Sequence, residues 1–269
     1  MKLSLSEIST VYASFEEDVA AYAAVGFDGI GIWEMKLPAD DEANVRLLRE
    51  ARLAVANCVP TVPSILPLLL PGMEGPPDPE ERVTALCASI RRFAAFEPGS
   101  VVCLTGAVGD LDSAEARKVA VAGLREAAAA ASEVGVRLGL EPAGASVSIV
   151  ATVVDALTLL EEAGLGDVGI MADTHNLWDE TPEALVAEPG RITGLHVADR
   201  PREAGREDRV LPGEGGTRSA EHVRALAEAG WDGFLDVEIF STPERFWGLS
   251  VDEAARRAYA AVRALRSPQ

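Results

Sequence analysis

The run "VRLGLEP", residues 136–142, follows an Ala-rich stretch that stops at Gly135. Successive residues of a strand point to opposite faces. Val136, Leu138 and Leu140 therefore share one side, and Arg137, Gly139 and Glu141 share the other. The first side is wholly apolar and suits a covering layer of helices. The second ends in a carboxylate placed just before a proline. Such a strand belongs in a sheet wrapped in helices, with polar chemistry gathered at its C-terminal edge.

Seven more short runs repeat the theme on either side: 2–5 "KLSL", 28–33 "DGIGIW", 53–58 "LAVANC", 100–105 "SVVCLT", 168–173 "VGIMAD", 192–198 "ITGLHVA" and 234–240 "FLDVEIF". Helical periods are expected between them, at about 14–25, 40–52, 79–96, 113–134, 149–163, 182–188, 217–229 and 251–266. "AAVGFDG", "EEAGLGD" and "AEAGWDG" each place a glycine where a helix should stop. Asp112 or Ser113 offers an N-cap for the fourth helix. Eight strand-then-helix units with no linker predict one (β/α)8 barrel domain over 1–269. An open doubly wound sheet is the alternative, but "SEISTVYAS" after the first strand lacks the dinucleotide fingerprint. One connection stands apart. Residues 60–80, "PTVPSILPLLLPGMEGPPDPE", follow the third strand and hold too many prolines for a regular helix. Their leucines and isoleucine could pack the segment onto the barrel end, or it could act as a lid or a subunit contact.

Bulk properties narrow the function. The formal net charge is −19, which argues against a nucleic-acid backbone as partner. No signal-peptide pattern and no membrane-length apolar run is present, and the three cysteines, Cys58, Cys87 and Cys103, lack metal-type spacing. Free thiols, a cytoplasmic location and no membrane partner are the expectations.

Chemistry in a (β/α)8 barrel sits at the C-terminal strand ends. Four consecutive strands place Glu141, Asp173, His196 and Glu238 there, each with inward parity and apolar neighbours facing outward. Two Glu, one Asp and one His suit a hard or borderline divalent ion such as Mn2+, Mg2+, Co2+ or Zn2+. The same parity sends Asp236 and Arg137 into the barrel below, where buried charges need partners and each could serve the other. His175, one residue beyond Asp173's neighbour, is a candidate contact to a substrate hydroxyl or carbonyl. His222, mid-helix in "AEHVRAL", is expected at the surface. A Ser-His-Asp hydrolase is disfavoured, because no G-x-S-x-G elbow occurs.

"LEP" at 140–142, "DTHN" at 173–176, "HVAD" at 196–199, "RVLPGEG" at 209–215 and "VEIF" at 237–240 resemble the sugar isomerase/epimerase superfamily of xylose isomerase-like TIM barrels. That superfamily includes ketose 3-epimerases, hydroxypyruvate isomerase, inosose isomerases and dehydratases, and the distant DNA-repair endonuclease IV. The resemblance covers nearly the whole chain, is strongest from 134 to 240, and looks closest to inosose (2-keto-myo-inositol) isomerases in the tail. It implies that Glu141, Asp173, His196 and Glu238 are the metal ligands, with Glu141 and Glu238 also the acid/base pair. It implies substrate-binding roles for His175 and Arg209, with Arg202 as a competitor and Asp199 of "HVAD" as a further contact. Trp33, Trp178 and Trp247 are loop residues suited to substrate choice. Two departures matter. Many members carry an acidic residue within the second strand, where this chain has Gly31 and then Trp33 and Glu34. The extra ligands of endonuclease IV have no counterpart in "REAGREDRVLPG".

The implied chemistry is proton abstraction next to a ketone through a metal-stabilised enediolate. The expected protein is an isomerase or epimerase of a small keto-sugar or keto-cyclitol, with one divalent ion and no organic cofactor, and a homodimer or homotetramer is the expected assembly. A dehydratase using the same site is the enzymatic alternative, and a non-catalytic binding barrel is the other.

Overall fold

A computed structural model describes residues 1–69, 73–203, 205, 206 and 208–266. Eight parallel strands close into a barrel, β1 (Lys2–Ser6), β2 (Gly29–Trp33), β3 (Ala54–Val59), β4 (Val101–Cys103), β5 (Leu138–Leu140), β6 (Gly169–Asp173), β7 (Ile192–Val197) and β8 (Phe234–Val237), with β8 pairing back onto β1. Eight helices follow the strands in turn: α1 (Phe15–Val25), α2 (Asp41–Ala51), α3 (Pro79–Phe93), α4 (Ser113–Val134), α5 (Val153–Ala163), α6 (Pro182–Leu185), α7 (Ser219–Glu228) and α8 (Val251–Leu265). The open-sheet alternative is thereby excluded. The main core lies between barrel and helices, where Leu138, Leu140, Leu195, Val197, Leu235 and Val237 are all buried.

Local chemistry sets the helix ends. Ser14 and Glu17 form a reciprocal capping box, and Asp112 accepts from the amides of Ala114 and Glu115. Gly26, Gly164 and Gly230 take positive φ at or just past the ends of α1, α5 and α7. Helix α5 starts at Val153 rather than 149, because Thr152 caps it by accepting from Asp155 N. Cys58, Cys87 and Cys103 are free. Among the described residues no helix is long and apolar enough to cross a membrane.

Strand register brings the inward polar residues to one level. Asp173 pairs with His196, and His196 with Asp236. Below the mouth, Asp236 Oδ2 accepts from Asn57 Nδ2 at 2.8 Å. A Cβ on Gly31 would lie 2.2 Å from that same carboxylate oxygen, so β2 can offer no side chain at this level.

Two expectations fail here. Arg137 does not reach Asp236. It precedes the paired part of β5, and its long side chain runs out at the barrel's N-terminal end, where Nη2 lies 3.3 Å from Gly190 O. His222 is buried, not exposed. It belongs to the stripe Ser219, His222, Val223 and Leu226 that α7 turns inward, and its Nε2 meets Glu180 O at 3.0 Å. Burial holds this imidazole below its ordinary pKa and hence neutral.

The 60–80 segment is largely packed down. Ile65, Leu66 and Leu68 are buried, Leu69 is exposed, and Leu70 lies outside the described residues. Arg82 of α3 is fully buried and ties the segment together. Its guanidinium donates to Ser64 O (3.0 Å), Ser64 Oγ (2.5 Å), Glu74 O (2.5 Å) and Pro76 O (2.8 Å). Replacing Arg82 with Met strands those acceptors. Arg82→Met should lower stability by about 2–4 kcal/mol and open the 60–80 segment to limited proteolysis. Unchanged melting and cleavage would show that this arginine does not hold the segment.

Candidate metal centre and substrate pocket

Glu141 and Glu238 stand one residue beyond β5 and β8, Asp173 ends β6, and His196 lies within β7. All four are buried at the C-terminal mouth of the barrel. One ligand atom each from Glu141, Asp173 and His196 falls within a mutual 4.8 Å. Glu141 Oε2 and Glu238 Oε2 lie 3.7 and 3.5 Å from His196 Nδ1. His196 Nε2 faces Asp236 Oδ2 at 3.7 Å.

The single cation within this cluster, among the described residues, is Arg209. Its Nη2 is 2.9 Å from Asp173 Oδ2 and its Nη1 2.7 Å from Glu238 Oε2, with the guanidinium 4.9 Å from the Phe240 ring centre. Asp199 holds the segment that carries it. Its Oδ2 accepts from Gly213 N (2.9 Å) and Gly215 N (3.1 Å), and its Oδ1 accepts from Ser219 Oγ (2.6 Å). A Cβ on Gly215 would come within 2.2 Å of Arg200 O, so this turn closes only around a glycine.

The electrostatics are those of crowded acids in a dry site. Burial pushes Glu238 up to about 7, with Arg209 pulling down and Asp173 pushing up. Burial, Glu238 and Asp173 raise Glu141 well above the carboxylate range. Burial raises Asp173, but the Arg209 guanidinium and the hydrogen bond from His175 N outweigh it and hold this carboxyl low. Burial lifts Asp236 to about 6 against the pull of His196. Burial lowers His196, leaving a neutral imidazole. Neither of its ring nitrogens has a hydrogen-bond partner. A neutral His with an orphaned Nδ1 facing two carboxylates, over a third carboxylate that can orient Nε2–H, fits a divalent cation bound to Nδ1. The oxygen-rich donors suit the ions expected above.

Above the carboxylates opens a cavity of about 280 Å³. Glu141, His175, Asn176, Arg209 and Glu238 line one side, and Trp33 and Phe240 stand edge to face on the other. His175 N donates to Asp173 Oδ1 at 2.8 Å, and its Nδ1 is buried without a partner. Burial, then Arg209, push this imidazole down to about 4.

The remaining sequence candidates stand elsewhere. Trp247 packs behind Phe240, its indole N–H shared between Ile8 O (2.7 Å) and Ile239 O (3.0 Å). Trp178 is exposed beneath the Arg200 guanidinium, 4.9 Å away. Arg202 is exposed, and Asp199 braces a turn rather than lining the cavity. Asn176 and Phe240 were not singled out by sequence. Asn176 Nδ2 donates to Glu141 Oε1 at 3.0 Å, and Phe240 shares Glu238's parity two residues on. Both lie inside motifs already quoted, so strand alternation was the available signal for Phe240.

Comparison with known proteins agrees with this architecture. The family model described as xylose isomerase-like TIM barrel matches residues 19–267. An inosose isomerase of Halalkalibacterium halodurans is 30% identical over 151 residues, which are 54% of this chain and 53% of that protein. The match thus spans about half the length of that relative. A crystal structure of the IOLI protein with a bound zinc atom superposes with a TM-score of 0.82 at 22% identity, covering 98% of both chains. The D-psicose 3-epimerase of Clostridium cellulolyticum H10, solved with D-tagatose, superposes with a TM-score of 0.77 at 17% identity over 99% of this chain and 98% of that one.

A metal ion held here would compete with protons for the same carboxylates. Glu238, at about 7, and the raised Glu141 would have to be ionised to ligate, so uptake of an ion would release protons. Affinity therefore rises with pH through that range, on the order of tenfold per pH unit for one displaced proton. The gain in melting temperature on adding Mn2+ should be larger at pH 8 than at pH 5.5. An equal gain at both values would count against these carboxylates as ligands.

Proposed function

The chain belongs to the xylose isomerase-like TIM barrel family, and from that premise we propose that it is a divalent-metal-dependent isomerase or epimerase of an α-hydroxy ketone. The named relatives point to keto-sugars and keto-cyclitols as the compound class. The observation that carries the reading is the neutral, unpartnered His196 faced by Glu141 and Glu238 beside Asp173. These four residues would hold the ion.

When bound, the ion supplies electrophilic polarisation of the carbonyl and stabilises the negative charge that develops on it. The chain's own residues do the rest. Glu141 and Glu238 come from strands separated by β6 and β7, so two carboxyls flank the space over His196. One removes the proton beside the carbonyl and the other returns a proton. Burial raises both above the ordinary carboxylate range, which makes each a stronger base than a solvated carboxylate once it is ionised. Arg209 holds the Glu238 carboxylate at Oε2 and aligns it, while Asn176 does so for Glu141. His175, neutral with a free Nδ1, is placed to hydrogen-bond a substrate oxygen. Return of the proton to the same carbon is epimerisation, and return to the former carbonyl carbon is isomerisation. A dehydratase would share the first half of this sequence.

Deuterium wash-in tests the proposal directly. Metal-loaded enzyme in heavy water should exchange the α-proton of ketoses or inososes. Glu238→Gln should cut that exchange by about 10²–10⁴-fold with an unaltered circular dichroism spectrum. Full exchange in the variant would rule out the two-carboxylate scheme.

A further inference from the structure

A second set of buried ionisable groups lies behind the pocket, outside the barrel interior. Glu7 follows β1 with the parity of Leu3 and Leu5, so it faces α1 rather than the candidate metal centre. Around it gather Thr10, Asp18 and Tyr22 of α1, and Lys36 of the turn after β2. Glu7 and Asp18 are fully buried, and only 7% of the Lys36 side chain is exposed. The other titratable groups that act on this set are Cys58 of β3, whose thiol burial keeps protonated, and Asp236 of β8, through Tyr22. Among the described residues, Lys36 is the cation in contact with it.

The hydrogen bonds divide unequally between the two acids. Asp18 Oδ1 accepts from Thr10 Oγ1 at 2.7 Å, and its Oδ2 accepts from Lys36 Nζ. Lys36 Nζ also donates to Glu7 O (3.1 Å) and Thr10 O (2.9 Å), so its three protons go elsewhere than to the Glu7 carboxyl. Glu7 Oε2 accepts from Trp33 N at 2.8 Å, while Oε1 is buried with no donor. The carboxyls of Glu7 and Asp18 lie within hydrogen-bonding reach of each other. Two carboxylates in contact and away from water repel, and one ammonium balances only one of them. A proton on Glu7 removes the excess charge and turns the orphaned oxygen into a donor toward Asp18.

We infer that Glu7 is held as a neutral carboxylic acid, donating to Asp18 and fixing Trp33 through Oε2, and is thereby a positioning residue for the pocket. Ser6 Oγ takes the Trp33 indole N–H at 2.9 Å, so consecutive residues at the end of β1 hold both polar groups of this side chain and its amide. Trp33 in turn packs with Ile8, Val59 and Val102, and with Leu104 and Phe240 it forms the apolar wall of the cavity. Burial raises Glu7 well above the carboxylate range, against the pull of Lys36 and with a push from Asp18. Burial raises Asp18 too, but Lys36 and the hydrogen bond from Thr10 pull it back. The native state thus keeps a proton on Glu7 that the unfolded chain releases above 4.5. Stability from this group falls as pH rises from there toward the raised native value. An amide offers the same donor and acceptor with no proton to take up, so Glu7→Gln escapes that loss.

The test is the melting temperature of the unaltered protein, Glu7→Gln and Asp18→Asn at pH 5.5 and 7.5, a readout that needs no substrate and holds whichever reaction the site performs. The carboxyls of the candidate metal centre are common to all three proteins and cancel in the differences. Glu7→Gln should gain on the unaltered protein with rising pH, on the order of 3 °C per pH unit. Asp18→Asn leaves Lys36 without its carboxylate and should melt lower at both values. A Glu7→Gln difference that is flat with pH, a Glu7→Gln chain that does not fold, or a gain with pH in Asp18→Asn instead overturns the inference. Amide hydrogen exchange followed by NMR reads the positioning role. The Trp33 amide should exchange as slowly in Glu7→Gln as in the unaltered protein, and about tenfold faster or more in Glu7→Leu, which has no acceptor for it. Equally slow exchange in Glu7→Leu, or fast exchange in Glu7→Gln, overturns that role.

Discussion

Four buried carboxyls around one neutral imidazole are the constraint on which the barrel mouth depends. Glu141, Asp173, Asp236 and Glu238 converge on His196, and among the described residues Arg209 is the guanidinium set among them. Like charges removed from water cannot all ionise together unless cations or protons balance them. The raised pKa values of Glu141, Glu238 and Asp236 are the protonic solution, and Arg209 is the fixed one. A bound divalent ion would be a third. The fold serves this balance at several removes. Asp199 and Gly215 shape the turn that delivers Arg209, while the parallel register of β6, β7 and β8 sets Asp173, His196 and Asp236 side by side.

The parts of this arrangement that follow from strand alternation were legible in the sequence. Inward parity places Glu141, Asp173, His196 and Glu238 at one end of the barrel, because a two-residue period tolerates no ambiguity once one face is apolar. The same rule failed for Arg137. Alternation tells where a Cβ points, and a long cationic chain at the open end of a strand can still turn back to water. His222 failed for the opposite reason. Its polarity suggested exposure, yet residues 219, 222, 223 and 226 recur at helical spacing and mark a buried face. A polar residue on such a stripe is buried with a partner, here the Glu180 carbonyl.

The apolar wall was harder to foresee, because no single stretch encodes it. Trp33, Val59, Val102, Leu104 and Phe240 are strand-end residues of four different strands, and nothing local separates them from ordinary core. The absence of an acidic residue in β2 was visible, but its cause was not. Gly31 lies against Asp236, so a side chain at that level would displace the carboxylate that faces His196. The substitution pattern of β2 thus follows from a demand made by β8.

The wall and the charged cluster also need each other physically. Coulomb interactions among Glu141, Glu238, Arg209 and a bound cation strengthen as water is excluded. Trp33 and Phe240, which pack edge to face and back onto Trp247, supply that exclusion from the side the carboxylates cannot cover themselves. A polar wall there would draw in water and relax the carboxyls toward ordinary acidity. The raised pKa of Glu238 and the apolar face opposite it are therefore one design. The side chains that dehydrate the acid/base pair are also those that meet the body of whatever molecule binds.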